Sequence, residues 1–400
     1  MGILREISIP TDLLGSSDHF ESLLSESSLS LMVEDDYVSL LGHNDALPEV
    51  IAIQRLVTLA KANILHRVVW GQHIATEALL APPLFPLLAV LLCLDIAKHF
   101  CARKGGEEIP IDIQSSRKKI YQFQPMTDMF ADSQIVICAD SRGYGRPKVL
   151  YNSDGTLVSR SDFDAFVERL LAAQIGINAG SAQAVKFSQS VSTIVAELFE
   201  NTEIHGKHDL SGIPFRLNGL RGMIFKRVNI TTKGTPKGAS PGIANMEVQI
   251  SQKPVMLEIS IFDSGVGYYG SYKRERLSQD VTLTNEWAVV HRCLERHYSP
   301  DPTQIPLPDS RQKHTGMGLY EVLRALQFLK GKFEVRSGRT YGFRTFLEGQ
   351  SQYQIEASTS STRPGMPKPV LLDQSLQFVS KPTANEMLDG SSIRVLIPLA

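Results

Sequence analysis

The 400-residue chain is short of the residues that mark specialised environments. Its four cysteines, Cys93, Cys101, Cys138 and Cys293, stand at irregular intervals with no C-x-x-C pair. That spacing excludes a disulfide framework or a zinc knuckle and fits buried thiols of a reducing compartment. Cys293 and His297 lie one helical turn apart in HRCLERH, but two ligands without a second pair make no metal site. Charge of one sign is also missing: 41 Lys and Arg against 42 Asp and Glu leave a formal net charge of −1. Bulk electrostatic capture of nucleic acid or of an acidic membrane is therefore not expected. The first residues, MGILREISIP, lack the charged-then-apolar pattern of a signal peptide. The stretch ALLAPPLFPLLAVLLCL at 78–94 sits at the lower limit of the about 17–25 residues of a membrane span, and Pro82, Pro83 and Pro86 interrupt it. A buried helix starting near Pro86 and a cytoplasmic location follow. No internal repeat is visible.

What remains is the profile of a soluble globular protein, 42% hydrophobic and 21% charged, with length enough for two or three domains. The first half alternates apolar helical stretches, 53–65 and 86–100, with short strand-like runs such as QIVICA at 134–139. Nothing in it attaches to chemistry. VLYNSDGTLVSR at 149–160 reads as a hairpin around Asp154-Gly155, after which Ser161, with Asp164 three residues on, resembles a capping box opening a helix. The boundary is placed there, giving domains 1–155 and 156–400. Apolar residues at three-to-four spacing predict a long helix over about 183–205. Strands are expected at 221–230 and 255–262, helices at 284–298 and 318–331, and a last strand, SIRVLIPL, near the end. KGTPKGASPG at 233–242 and EASTSSTRPGMPK at 356–368 read as loop and insertion.

Three short motifs carry chemistry. IFDSGVGYYG at 261–270 contains Gly265, Gly267 and Gly270 in a G-x-G-x-x-G pattern, but the polar SYKRERLSQD that follows cannot be the apolar helix of a dinucleotide-binding turn. The pattern makes better sense around Asp263: a carboxylate at a strand end can accept a hydrogen bond from an exocyclic amine, and glycines beyond it let a ligand approach. In ELFENTEIHG, Glu197 and Asn201 are four residues apart and share a helix face, where a carboxylate can position water and an amide oxygen can take Mg²⁺. Glu200 competes as a base but points elsewhere on the helix. In HTGMGLYEVLRAL, Gly316 and Gly318 precede an apolar helix whose free N–H groups favour phosphate.

In this order, E-x-x-x-N, D-x-G-x-G and G-x-G-L resemble the N, G1 and G2 boxes of the GHKL superfamily, which groups histidine kinases, gyrase B subunits, heat-shock chaperones and MutL-type proteins. The resemblance covers about 160–400 and implies an α/β fold. The C-terminal part would be a Bergerat-type two-layer sandwich, a mixed, mostly antiparallel sheet covered on one face by helices. An N-terminal α/β or mostly helical domain of sensing or interaction type would precede it. By resemblance, Glu197 would be the general base and Asn201 the Mg²⁺ ligand. Asp263 would bind the adenine amino group, with Gly265 and Gly267 giving it room and Ser391 where a Thr near adenine is usual. Gly316, Met317, Gly318 and Leu319 would wrap the phosphates of ATP, under a lid at 268–315, with an insertion at 346–388. His19, His43, His66, His73 and His99 all lack the context of a phospho-acceptor. ELFENTEIHG is similar to the anti-sigma-factor serine kinases and their stand-alone relatives. The expected function is an ATPase switch acting on a regulatory protein partner, as a monomer or homodimer. The alternative is a protein kinase that phosphorylates that partner.

Overall fold

The computed structural model describes residues 5–9, 12–13, 15–33, 49–70, 86–95, 99–104, 106–122, 133–140, 145–175, 182–229, 255–295, 318–346 and 370–399. The first five strands, β1 (Arg5–Ile9), β2 (Leu29–Val33), β3 (Leu65–Trp70), β4 (His99–Lys104) and β5 (Glu107–Pro110), form one sheet in sequence order. β1 to β4 run parallel and β5 folds back antiparallel on β4. Parallel neighbours need crossovers, and α1 (Ser17–Leu24), α2 (Glu49–Lys61) and α3 (Pro86–Cys93) supply them, with α4 (Gln114–Gln122) after β5. EVIAIQRLVTLAK is apolar almost all round, which suits a helix covered on every side; Val50 to Ala60 of α2 are all buried. α2 begins four residues earlier than the sequence pattern suggests and stops at Lys61, because Asn63 takes a left-handed conformation (φ 57°) and hands Leu65 to β3. The run expected as one helix at 86–100 divides: α3 ends at Cys93 and His99 opens β4. Among the described residues no helix is long and apolar enough to cross a membrane.

The second sheet joins β6 (Ser133–Ala139), β7 (Leu220–Asn229), β8 (Val255–Asp263), β9 (Lys332–Gly338), β10 (Thr340–Thr345) and β11 (Leu388–Pro398) in the order β10-β9-β11-β8-β7-β6. Every neighbouring pair is antiparallel, so this sheet is not mixed. One face packs Met223, Phe225, Ile259, Ile261, Val335 and Val395 against α5 (Arg160–Ile175), α6 (Ala182–His205) and α9 (Gly318–Leu329). The other face is covered too: Ile137, Ile224 and Phe262 share a core with Leu56 of α2 and Leu91 of α3. The expectation of helices on a single face is thereby corrected, since the crossover helices of the first sheet lie against the second. Between them, the rear face carries buried charges that pair with one another, Arg394 with Glu258 at 2.7 Å and with Glu334 at 3.2 Å.

β6 pairs with β7 along its whole length, so the second sheet recruits a strand from upstream of the boundary expected near 155. The expected hairpin is a tight turn closed by a single bridge between Tyr151 and Leu157. α5 starts at Arg160, capped by the Ser159 hydroxyl, which accepts the Asp162 N–H at 3.2 Å. The capping residue is thus two positions before the Ser161 read from the sequence.

Candidate functional site

α6 packs on the helical face of the sheet, and two groups of residues in its C-terminal part meet distant segments of the chain. In its C-terminal half, Glu197 and Asn201 are half-exposed. The first residue of α9 meets them there: a Cβ on Gly318 would lie 3.0 Å from Glu197 Oε2 and 3.4 Å from Asn201 Nδ2. Two motifs more than a hundred residues apart in the chain therefore share one cradle, and a side chain at 318 would crowd the ends of Glu197 and Asn201. The N–H groups that open an α-helix have no partner within the helix itself, which makes a helix start a place where an anion is favoured. Leu319 turns its side chain into the core, where it anchors α9. Gly316 and Met317 lie outside the described residues. Arg160, at the start of α5, brings its guanidinium to 3.9 Å from Glu197. Burial raises the Glu200 carboxyl, with Arg160 pulling the other way.

At the C-terminal end of α6, five residues or about 7.5 Å of helix rise beyond Asn201, Gly206 abuts the end of β8. A Cβ on Gly206 would stand 2.5 Å from Asp263 Cβ, and one on Gly265 would stand 2.8 Å from Gly206 Cα. Two glycines face each other, and that is what lets the helix end touch the turn after Asp263. The Asp263 carboxylate is buried, 7% exposed, and both oxygens are engaged. Oδ1 accepts the Gly265 N–H at 2.8 Å, and Oδ2 accepts a short hydrogen bond from Ser391 Oγ. Burial raises this carboxyl; Ser391, the Gly265 N–H, Lys61 and Arg221 offset part of the rise. Asp263 stands in register between Arg221 on β7 and Ser391 on β11, so the three side chains project from the same face. Gly267, at φ +70°, opens α7 (Gly267–Lys273) beside Ser337 and Gly390.

Arg221 was not legible in the sequence. It is wholly buried, donates to both oxygens of Asp140 at 2.6 and 2.7 Å and to the Tyr151 hydroxyl at 2.9 Å, and lies 2.8 Å from Glu203. Burial alone would raise the Glu203 carboxyl, but Arg221 and Lys207 hold it at about 2. This cluster ties the last turn of α6 to β6 and β7, so that Gly206 arrives at Asp263 in a fixed position. A lone arginine in a strand run gave no sequence signal. His205-Gly206, by contrast, was visible as part of ELFENTEIHG.

The stretch expected to be a lid is partly body. Its described residues, 268–295, contain α7 and α8 (Leu283–Cys293), which is shorter than the 284–298 expected. α8 is held in place by buried Trp287, whose indole N–H donates to the Val379 carbonyl at 2.7 Å, and by Glu286, which is paired with Arg339 at 3.0 Å. His291 accepts the Leu371 N–H at 3.3 Å, so part of the expected insertion packs on the same helix. Residues 296–315 and 347–369, and His297 of the Cys293 pair, lie outside the described residues. Among the described residues no cluster of three or more His, Cys, Asp or Glu could hold a metal ion. The cysteines are unbridged, and burial pushes the Cys138 and Cys293 thiols up to about 12, which leaves them inert at neutral pH. No family model matches the chain, and neither a curated protein nor a solved structure matches it.

Proposed function

We propose that this chain is a Mg²⁺-dependent, ATP-binding protein of GHKL type, with a Bergerat-type sandwich in its C-terminal half, that hydrolyses ATP as a switch acting on a protein partner. One observation carries the reading: Gly318 abuts Glu197 and Asn201, while Gly206, one and a half helical turns on, abuts Asp263. Three sequence-distant motifs thus meet on the C-terminal part of one helix, as a ligand with an amine-bearing base at one end and phosphates at the other would require.

In this reading the Asp263 carboxylate accepts the exocyclic amine of adenine, and Ser391, already bonded to Asp263, completes the polar wall. The N–H groups at the start of α9 face the phosphates. Glu197 polarises the attacking water, as a positioned carboxylate does in general base catalysis. Asn201 would hold Mg²⁺ by its amide oxygen, and the ion would supply positive charge against the phosphates. The donor set fits that role, because one neutral oxygen beside a carboxylate suits an ion that keeps most of its shell. The same carboxylate could instead deprotonate a partner's hydroxyl, and the 29% exposure of the Glu197 side chain leaves that end open to an acceptor.

Incubation of the purified chain with Mg²⁺ and γ-labelled ATP, beside Glu197→Ala, tests both readings. Free phosphate that falls by about 10²–10⁴ in the variant supports the ATPase. Label retained on protein turns the assignment to a kinase, and no binding of ATP at all overturns the proposal.

A further inference from the structure

The Asp263–Ser391 pair is built from two strand ends, and both are held from behind by α2. Gln54, Thr58 and Lys61 recur at three-to-four spacing and therefore share one face of that helix. Each ends on the segment that carries half of the pair. Gln54 Oε1 accepts from the Ser392 hydroxyl at 2.8 Å, and the Thr58 hydroxyl accepts the Asp389 N–H at 2.9 Å. Lys61 Nζ donates to the Ser264 carbonyl at 2.6 Å, lies 3.8 Å from Asp389 and stacks 4.4 Å from the Phe215 ring centroid. Arg55 grips Glu386 through two nitrogens, at 3.0 and 2.9 Å, and caps the Leu13 and Gly15 carbonyls.

An apolar helix buried on all sides has no need of these groups for packing. Burying a lysine ammonium costs free energy unless its position has a use. Apolar contacts would let α2 slide over the sheet, whereas these bonds fix residues 264, 386, 389 and 392 individually. Ser391 and Ser392 are neighbours on β11 and point to opposite faces. What α2 does to Ser392 is therefore passed through one peptide unit to the residue that bonds Asp263. Lys61 acts on the other strand in the same way, one residue beyond Asp263.

We infer that α2, with Lys61 as its main contact, is a positioning element for the Asp263–Ser391 pair, so that occupancy of the base end and the seating of the N-terminal half are linked. The inference rests on the nucleotide reading of the site. Linkage is reciprocal: whatever displaces α2 weakens the ligand, and the ligand holds α2 in place.

The test uses the full chain with Lys61→Met and Lys61→Arg. Hydrogen exchange of the ligand-free protein and ATP affinity by calorimetry are measured side by side. In Lys61→Met, exchange at 264–273 is expected to accelerate about tenfold while 160–175 stays unchanged, and ATP affinity to fall about tenfold, within the usual range of coupling between sites. Lys61→Arg, which keeps the charge and a donor, is expected to restore much of both. Unchanged exchange at 264–273, or a uniform rise along the whole chain, would overturn the positioning role. Faster local exchange with unaltered ATP affinity would overturn the linkage. If the unmodified chain binds no ATP, the nucleotide reading fails, and the exchange data alone decide whether Lys61 fixes the turn.

Discussion

The two ends of the candidate site are built in opposite ways. At the Asp263 end every polar group has a protein partner: both carboxylate oxygens are engaged, Ser264 is fully buried and bonded to Leu220 and Asn218, and Lys61 closes the rim. At the Glu197 end the side chains are half-exposed: Glu197 lies against the Gly318 position and 3.9 Å from the guanidinium of Arg160. A recognition element gains from a fixed geometry, because a pre-ordered acceptor loses no freedom on binding. A group that must take up water, metal and a changing phosphate charge gains from being open. The sequence motifs look alike at both ends, and only the packing separates them.

The sharpest break of that contrast is Asn201→Ala. Removing one charge-assisted oxygen contact, worth about 1.5–3 kcal/mol, should weaken Mg²⁺-dependent ATP binding by roughly tenfold to a hundredfold. Because Asn201 is half-exposed, the melting temperature should hardly move. Calorimetry with and without a chelator checks this: the variant and the unmodified chain should bind ATP alike once the metal is removed. Equal affinity in the presence of Mg²⁺ would remove Asn201 from the site.

A paired glycine substitution sharpens the contrast. Gly206→Ala drives a methyl group to 2.5 Å from Asp263 Cβ, between two rigid elements. Overpacking of this kind costs about 1–3 kcal/mol, and thermal unfolding should show it. Gly318→Ala sets its methyl group 3.0 Å from a half-exposed carboxylate that can swing aside, at a helix start where the change from glycine carries no packing penalty of that size. That variant should keep its melting temperature while losing ATP affinity and turnover. If Gly318→Ala unfolds the protein as readily as Gly206→Ala, the two ends are equally rigid.

Local pattern was a good guide wherever one element acted alone. The long helix over 183–205 and the strands at 221–230 and 255–262 fall within a residue or two of α6, β7 and β8, because each has a clear periodicity of its own. Glu197 and Asn201 sharing a face follows from helix geometry. Failures came where partners decide. No local rule says that Ile135 and Ile137 pair with Ile224 and Gly222 across more than eighty residues, so the sequence pattern gives no sign that β6 belongs to the second sheet. Nor could spacing show that Lys61, in a stretch that attached to no chemistry, ends at the carbonyl next to Asp263. Arg221 is invisible for the same reason: its meaning lies in Asp140 just past β6, Tyr151 in the turn before α5, and Glu203 on α6.

The smallest expected effect separates recognition from stability. Asp263→Asn is nearly isosteric, and both hydrogen bonds survive it: the amide oxygen accepts from Gly265, and the Ser391 hydroxyl reverses to accept from the amide nitrogen. What is lost is the charge that draws an exocyclic amine, so preference for ATP over GTP should fall by about tenfold, the worth of one such contact. Stability should move the other way. Burial raises the folded carboxyl above its unfolded value near 3.8, so between those two values the native state holds the proton more tightly than the unfolded chain. Stability from this group is full below the unfolded value and declines as pH rises through the folded one. The variant, uncharged throughout, escapes that decline. Asp263→Asn and the unmodified chain should therefore unfold alike below pH 4, and the variant should become the more stable as pH rises to neutrality. Denaturant melts at a series of pH values measure the difference. A variant less stable at pH 7 than the unmodified chain would mean that Asp263 holds the fold together and is not a charge kept at a cost for binding.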